Sequence, residues 1–263
     1  MNYELLTKQV CNLSRSTANY IKDEVGKLKS SQVKEKGVHD YVTYVDLEAE
    51  KRITSELSRF LPGAGFIVEE NKELEKSENY NWIVDPLDGT TNFIHGIPMY
   101  AVSIALMEGD ELVLGVIYEA NSQECFYAWK GSEAFMNRSP IKVTETDQLT
   151  NALFATGFPY SDYDKLDEYL QFFRDLLMQS RGLRRLGSAA LDMAYVACGR
   201  FEGFYEYGLQ PWDVAAGTLI VQQAGGQVTD FSGGASHIFG QEIIATNGVL
   251  HQTLLGMMKK YFG

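Results

Sequence analysis

Asp85 and Asp88 stand three positions apart in the stretch Trp82-Ile83-Val84-Asp85-Pro86-Leu87-Asp88-Gly89-Thr90-Thr91-Asn92-Phe93. Two carboxylates on a turn after an apolar run supply the oxygen ligands that a hard divalent cation such as Mg²⁺ takes. Gly89 lets the backbone come close to a ligand, and Thr90, Thr91 and Asn92 are helix N-cap residue types. A helix beginning there points free N–H groups and the positive end of its dipole the same way, which suits a phosphate. The alternative for the motif alone is a surface turn in which both acids only cap.

Other acids follow the same logic. Glu69 and Glu70 end the apolar stretch Gly65-Phe66-Ile67-Val68, so a buried strand delivers them. Asp213 precedes a nearly all-apolar segment, Val214 to Ala224, stopped by Gly225-Gly226. A helix apolar all round is buried, so Asp213 is expected as its N-cap, inside the molecule, where it needs a partner. Glu206 lies within an apolar strand, and Gly187-Ser188-Ala189-Ala190 is a second small-residue helix start able to approach a ligand.

The elements that must position these groups are legible from periodicity. Residues 3 to 28 read as one long helix or two joined. Lys29 to His39 is polar and reads as a mobile loop, with Lys34 and Lys36 on a solvated face. Tyr41 to Val45 reads as a strand. Asp46 then caps a helix whose inner face includes Leu47, Ile53, Leu57 and Leu61, and Pro62-Gly63 stops it. The strand from Trp82 is expected to end at Pro86. Residues 100 to 107 and 112 to 118 form a hairpin and 124 to 129 a further strand. Residues 130 to 150 read as a turn-rich boundary, dividing an N-terminal subdomain (1–145) that carries most of the acids from a C-terminal one (146–263). The second half alternates strand and helix.

The chain has 263 residues and a formal net charge of −12. That charge argues against nucleic-acid and anionic-membrane partners, which need a basic surface. It also repels an anionic substrate unless local cations reverse the field, which favours bound metal. Cys11, Cys125 and Cys198 form neither a zinc pattern nor a disulfide framework, and read as reduced cytoplasmic thiols. The first residues are polar and amphipathic rather than a secretory signal. No apolar run is long enough to span a bilayer.

Taken together, the stretch from Trp82 to Phe93 and the stretch Trp212-Asp213-Val214-Ala215-Ala216-Gly217, ending in Ala224-Gly225-Gly226, resemble the two signatures of the inositol monophosphatase family, Mg²⁺-dependent and lithium-sensitive phosphatases. Their order and separation fit, and Glu69-Glu70 falls where the family's other metal-binding acid falls. The resemblance implies an α/β fold, a layered α/β/α/β/α sandwich, as a homodimer. It implies two or three Mg²⁺ ions: Glu69, Asp85 and the Leu87 carbonyl for the first, Asp85, Asp88 and Asp213 for the second, and Glu69 for a weaker third. Gly89 and Thr90 would bind phosphate through backbone N–H groups, and Asp88 and Asp213 would also contact the substrate. Gly187, Ser188, Ala189 and Glu206 would line its alcohol end. Thr90 with Asp46, and Glu69 through its metal, would orient and activate water. Where the familiar motif reads Gly-Glu-Glu-Ser, this chain has Val68-Glu69-Glu70-Asn71. That departure touches the loop shape and the choice between the two glutamates. Lys36 is a further possible contact to a metal-bearing loop.

The implied reaction is hydrolysis of a phosphate monoester without a covalent intermediate. No Cys or His stands as an obvious nucleophile, and His95 is expected to pack. The expected substrate is a small phosphorylated polyol, myo-inositol monophosphate first. Fructose 1,6-bisphosphate, 3′(2′),5′-bisphosphate nucleotides, histidinol phosphate and nicotinamide dinucleotide phosphates are alternatives. A metal-binding scaffold with the same fold is the non-enzymatic one.

Overall fold

The computed structural model describes every residue except 29–31, 38–39, 160–162 and 263; the side chains of 34–37 and 40, including Lys34 and Lys36, also lie outside the description. Helix α1 (Tyr3–Asp23) starts on Asn2, whose side chain accepts from Leu5 N at 3.0 Å. It stops five residues short of the expected end, ahead of Gly26 in the left-handed region (φ +74°). Residues 33 to 43 differ in part from expectation. The expected strand at Tyr41–Val45 is present as β2 (Asp40–Thr43), but part of the segment expected as loop is also a strand, β1 (Val33–Gly37), which pairs antiparallel with it. Its pairing is a backbone ladder, which polar residues can form without apolar alternation.

Helix α2 (Tyr44–Phe60) buries Val45, Ala49, Ile53 and Leu57, while Leu47, expected inside, is half exposed. Its N-cap is Thr43, not Asp46. Asp46 occupies the third helical position and bonds back to the cap, the reciprocal arrangement of a capping box. The same correction holds for α6 (Pro211–Gln223): Gln210 is the N-cap and Asp213 the third residue.

Seven strands form the larger sheet: β3 (Gly65–Val68), β4 (Tyr80–Asp88), β5 (Ala101–Glu108), β6 (Glu111–Glu119), β7 (Glu124–Trp129), β8 (Ala134–Met136) and β9 (Ser139–Ile141). They lie in chain order, and only β3 and β4 run parallel. The last two make a small hairpin inside the segment expected as turn-rich. Strand β4 runs through Pro86 instead of ending there. Its pairing with β3 stops at Val84, and its register on β5 shifts between Asp85 and Asp88. Proline is tolerated at such a bulge because no neighbour needs its missing N–H.

The smaller sheet has the order β11-β10-β12-β14-β13, from β10 (Leu153–Thr156), β11 (Gly182–Arg184), β12 (Gly203–Tyr207), β13 (Gln227–Thr229) and β14 (Glu242–Thr246). Helices α1 and α2 cover the outer face of the larger sheet. The almost wholly buried α5 (Ala189–Ala197) and α6 fill the space between the sheets, and their apolar side chains join both in one core. Helices α4 (Leu166–Gln179) and α7 (His251–Phe262) close the far side. The result is the five-layer α/β/α/β/α sandwich. No helix of the described residues is long and apolar enough to cross a membrane.

Candidate active site

Every predicted site acid sits at or near the end of an element. The β4 bulge turns out Asp85 and Asp88, then Gly89 caps the one-turn helix α3 (Thr90–Ile94) in a left-handed conformation (φ +95°). A Cβ at Gly89 would lie 2.9 Å from the Met99 carbonyl oxygen, so both space and φ demand glycine. Asn92 holds the turn in place: its Nδ2 donates to Met99 O at 2.7 Å and to Leu186 O at 2.8 Å, tying α3 to the segment before α5. His95, expected to pack, is exposed at the end of α3.

Asp88 reaches across the two halves of the chain. Its Oδ2 accepts from Ser188 Oγ at 2.5 Å and from Ala190 N at 2.8 Å. Ser188, the N-cap of α5, accepts in turn from Leu191 N at 3.3 Å. Ser188, expected to line the alcohol end of a substrate, therefore also holds an acid. Burial pushes the Asp88 carboxyl up to about 6, against the pull of these donors and of the Arg185 charge.

Asp85 and Asp213 are pushed well above the ordinary carboxylate range, first by burial. For Asp85 the charges of Glu69, Asp88 and Asp213 add to it; for Asp213, those of Asp88, Glu69 and Glu206. Asp85 Oδ1 accepts from Leu87 N at 2.9 Å, and Asp213 Oδ2 accepts from Gln210 N at 2.7 Å. Each acid is thus anchored through one oxygen. Glu69 is close enough for its charge to press on both Asp85 and Asp213. The loop that carries it is fixed by a residue the sequence did not single out. Buried Glu50 on α2 accepts from Glu70 N and Asn71 N, each at 2.8 Å.

Asp46 and Thr90 meet directly. Asp46 Oδ2 accepts from Thr43 N at 2.8 Å, and Oδ1 accepts from Thr90 Oγ1 at 2.9 Å. Thr90 Oγ1 also lies 2.9 Å from the Leu87 carbonyl oxygen. One hydroxyl hydrogen cannot fully serve both. If Leu87 O is engaged elsewhere, the hydrogen goes to Asp46 and the threonine oxygen is free to accept. Burial raises the Asp46 carboxyl, while the Thr43 hydroxyl and N–H and the Thr90 hydroxyl hold it down.

A small cavity of about 60 Å³ opens beside Asp88 and Asp213, lined also by Gly157, Arg185, Gly187, Ser188, Ala189, Asp192, Glu206 and Leu209. The residues expected at the alcohol end of a substrate, Gly187, Ser188, Ala189 and Glu206, therefore line one cavity. Glu206, on β12, is pushed up to about 8, chiefly by burial. Gly157 makes room for it: a Cβ there would lie 2.1 Å from both Glu206 carboxylate oxygens. Neither Gly157 nor Asp192 carries a local sequence signal, since their significance comes from what packs opposite.

The donors suit a hard divalent cation in type, being all oxygen and mostly anionic. Their burial and mutual repulsion also call for positive charge. Among the described residues no three His, Cys, Asp or Glu side chains already close round one point as a finished metal shell. Asp85, Asp88 and Asp213 each give one oxygen to a backbone N–H, from Leu87, Ala190 and Gln210 respectively.

Comparison with known proteins agrees with this arrangement. The model of the inositol monophosphatase family matches residues 2–261. An inositol-1-monophosphatase of Mesorhizobium japonicum is 43% identical over 238 residues, 90% of each chain. A protein of Pseudomonas aeruginosa named Nus factor SuhB is 43% identical over 247 residues, 92% of this chain and 91% of its own. The crystal structure of extragenic suppressor protein suhB from Bartonella henselae superposes with a TM-score of 0.93 at 41% identity, covering 97% of this chain and 99% of that one. Signatures, layer order and whole-length match converge: the chain belongs to the inositol monophosphatase family.

Proposed function

We propose that the protein is a Mg²⁺-dependent phosphomonoesterase acting on a small phosphorylated polyol, with myo-inositol monophosphate as the first substrate to test. What supports this reading is that Glu69, Asp85, Asp88 and Asp213, from three distant parts of the chain, lie near enough for their charges to act on one another, with Asp46 and Thr90 joined by a hydrogen bond. Glu69, Asp85, Asp88, Asp213 and the Leu87 carbonyl would hold two or three ions. Bound there, the ions neutralise phosphoryl charge and make water more acidic.

The chain's own groups do the rest. Thr90, with its hydrogen given to Asp46, accepts from a water and orients it for in-line attack, and Asp46 takes the proton. Backbone N–H groups at Gly89 and Thr90 face the charge that grows on the phosphoryl oxygens. Glu206 and the start of α5 receive the alcohol. Purified protein with Mg²⁺ should release inorganic phosphate from a panel of monoesters, fastest from inositol monophosphates. No release from any of them would overturn the reading.

Relatives named Nus factor SuhB favour a second reading, a binding protein on the same scaffold. The retained acids and the Thr90–Asp46 pair favour catalysis. Dimerisation, a cytoplasmic location, lithium sensitivity and the absence of a nucleic-acid partner remain parts of the proposal.

Metal-free protein is expected to lose stability as pH rises. Asp88 and Glu206 titrate higher in the folded state, at about 6 and about 8, than an unfolded carboxyl near 4. Their stabilising contribution is therefore complete below about pH 4 and is lost as pH rises through 6 and 8. One such group is worth on the order of 3 kcal/mol. Melting in a chelator should occur several degrees lower at about pH 8 than at about pH 5, and Mg²⁺ should restore most of the difference at the higher pH. Equal melting at both would remove the case for a strained acid cluster.

A further inference from the structure

We propose that Asp192 recognises a hydroxyl on the alcohol end of the substrate, opposite the phosphate, and so selects polyols over simple alcohols. The inference rests on the phosphomonoesterase reading and adds to it a specificity-determining residue. Asp192 lies on α5 and is 1% exposed, yet its Oδ1 has no hydrogen-bond partner among the described residues. A buried acceptor left unmet is costly, and such groups are rare in native proteins.

The surroundings make a packing role a poor explanation. The other buried residues of α5 are Ala189, Ala190, Leu191, Met193, Ala194, Val196 and Ala197, all apolar. A helix selected only to fill the core between the sheets would carry Leu or Ala at position 192, and both are better helix formers than Asp. Asp192 instead lines the cavity beside Asp88 and Asp213, together with Glu206 and Arg185. Also lining this cavity, Gly157 forgoes a side chain so that the Glu206 carboxylate fits. At about 60 Å³ the cavity takes a few water-sized groups, which matches hydroxyls on one edge of a polyol rather than a whole ring. The ligand class is therefore a phosphate ester of a polyhydroxy alcohol, with free hydroxyls on the side away from the phosphorus. A site built to bond a hydroxyl discriminates against analogues lacking one, because its own polar group is then left unpaired.

The test uses the intact protein with Mg²⁺ and two substrates, myo-inositol 1-phosphate and p-nitrophenyl phosphate. The readouts are the ratio of their kcat/KM values and the melting temperature. In Asp192→Leu the ratio is expected to fall about tenfold, with melting unchanged or higher because the unmet acceptor is gone. Asp192→Asn, which keeps the shape and a hydrogen-bonding head, should fall in the same direction but less, and guards against a misfolded leucine variant. A ratio within threefold of wild type in both variants overturns the proposal. So does a lower melting temperature accompanied by parallel loss on both substrates, which is the signature of a structural acid. Wild-type protein inactive on both substrates would overturn the phosphomonoesterase reading and this inference together, whereas the first two results overturn Asp192 alone.

Discussion

Asp85→Asn is expected to cut Mg²⁺-dependent phosphate release by at least about a thousandfold while leaving the metal-free protein as stable as wild type or more so. The two halves of that expectation come from the same observation. Asp85 is buried, its Oδ1 is held by Leu87 N at 2.9 Å, and the charges of Glu69, Asp88 and Asp213 press on it. Asparagine keeps the shape and can keep the bond from Leu87 N, so the bulge survives. It removes the charge that both proposed ion positions share. A thousandfold loss corresponds to about 4 kcal/mol of transition-state stabilisation. Without metal, one of several mutually repelling carboxylates has gone, and the fold gains. Phosphate release at saturating Mg²⁺ and melting in a chelator read the two effects separately. Near-normal turnover, or a clear drop in melting temperature, would show that Asp85 is a structural acid.

The second large effect belongs to Thr90→Val, expected to lower kcat by a hundredfold or more, with KM for the phosphate ester little changed. Valine matches threonine in shape and removes only the hydroxyl that joins Asp46 Oδ1 to Leu87 O. Thr90→Ser restores that hydroxyl and should recover most of the activity. If the pair acts as one unit, Asp46→Asn should be similarly slow, and the double variant should be little slower than either single one. Additive losses would mean that the two residues work independently and that the bond between them is incidental.

Much of this site was legible in the sequence because its signals are local. An apolar run ending in Asp85, Asp88 and Gly89, and an all-apolar helix behind Asp213, can each be read within a dozen residues. The resemblance added which acids belong together. What stayed illegible depends on partners far along the chain. Asp46 and Asp213 looked like N-caps, but the caps are Thr43 and Gln210, and only backbone geometry separates a cap from the third helical position. Pro86 looked like a strand end because nothing in the sequence says that β3 has already run out beside it. Glu50 gave no sign of holding the Glu69 loop, since its acceptors face N–H groups twenty residues away. The hairpin at 33–43 was missed because its first strand has no apolar alternation. We retain the division near residue 145 as a proposal. The larger sheet ends at Ile141 and the smaller begins at Leu153, so limited proteolysis between them is the direct test.

The bond from Ser188 to Asp88 spans one hundred positions. Its consequence is temporal. A ribosome delivers the bulge at Asp88 long before α5 emerges, and Asp213 later still. A nascent chain therefore passes through an interval in which the first acids are made but have neither their clamp nor their last companion. On the proposed function, activity would switch on late in translation, and a truncated product lacking α6 would be inert.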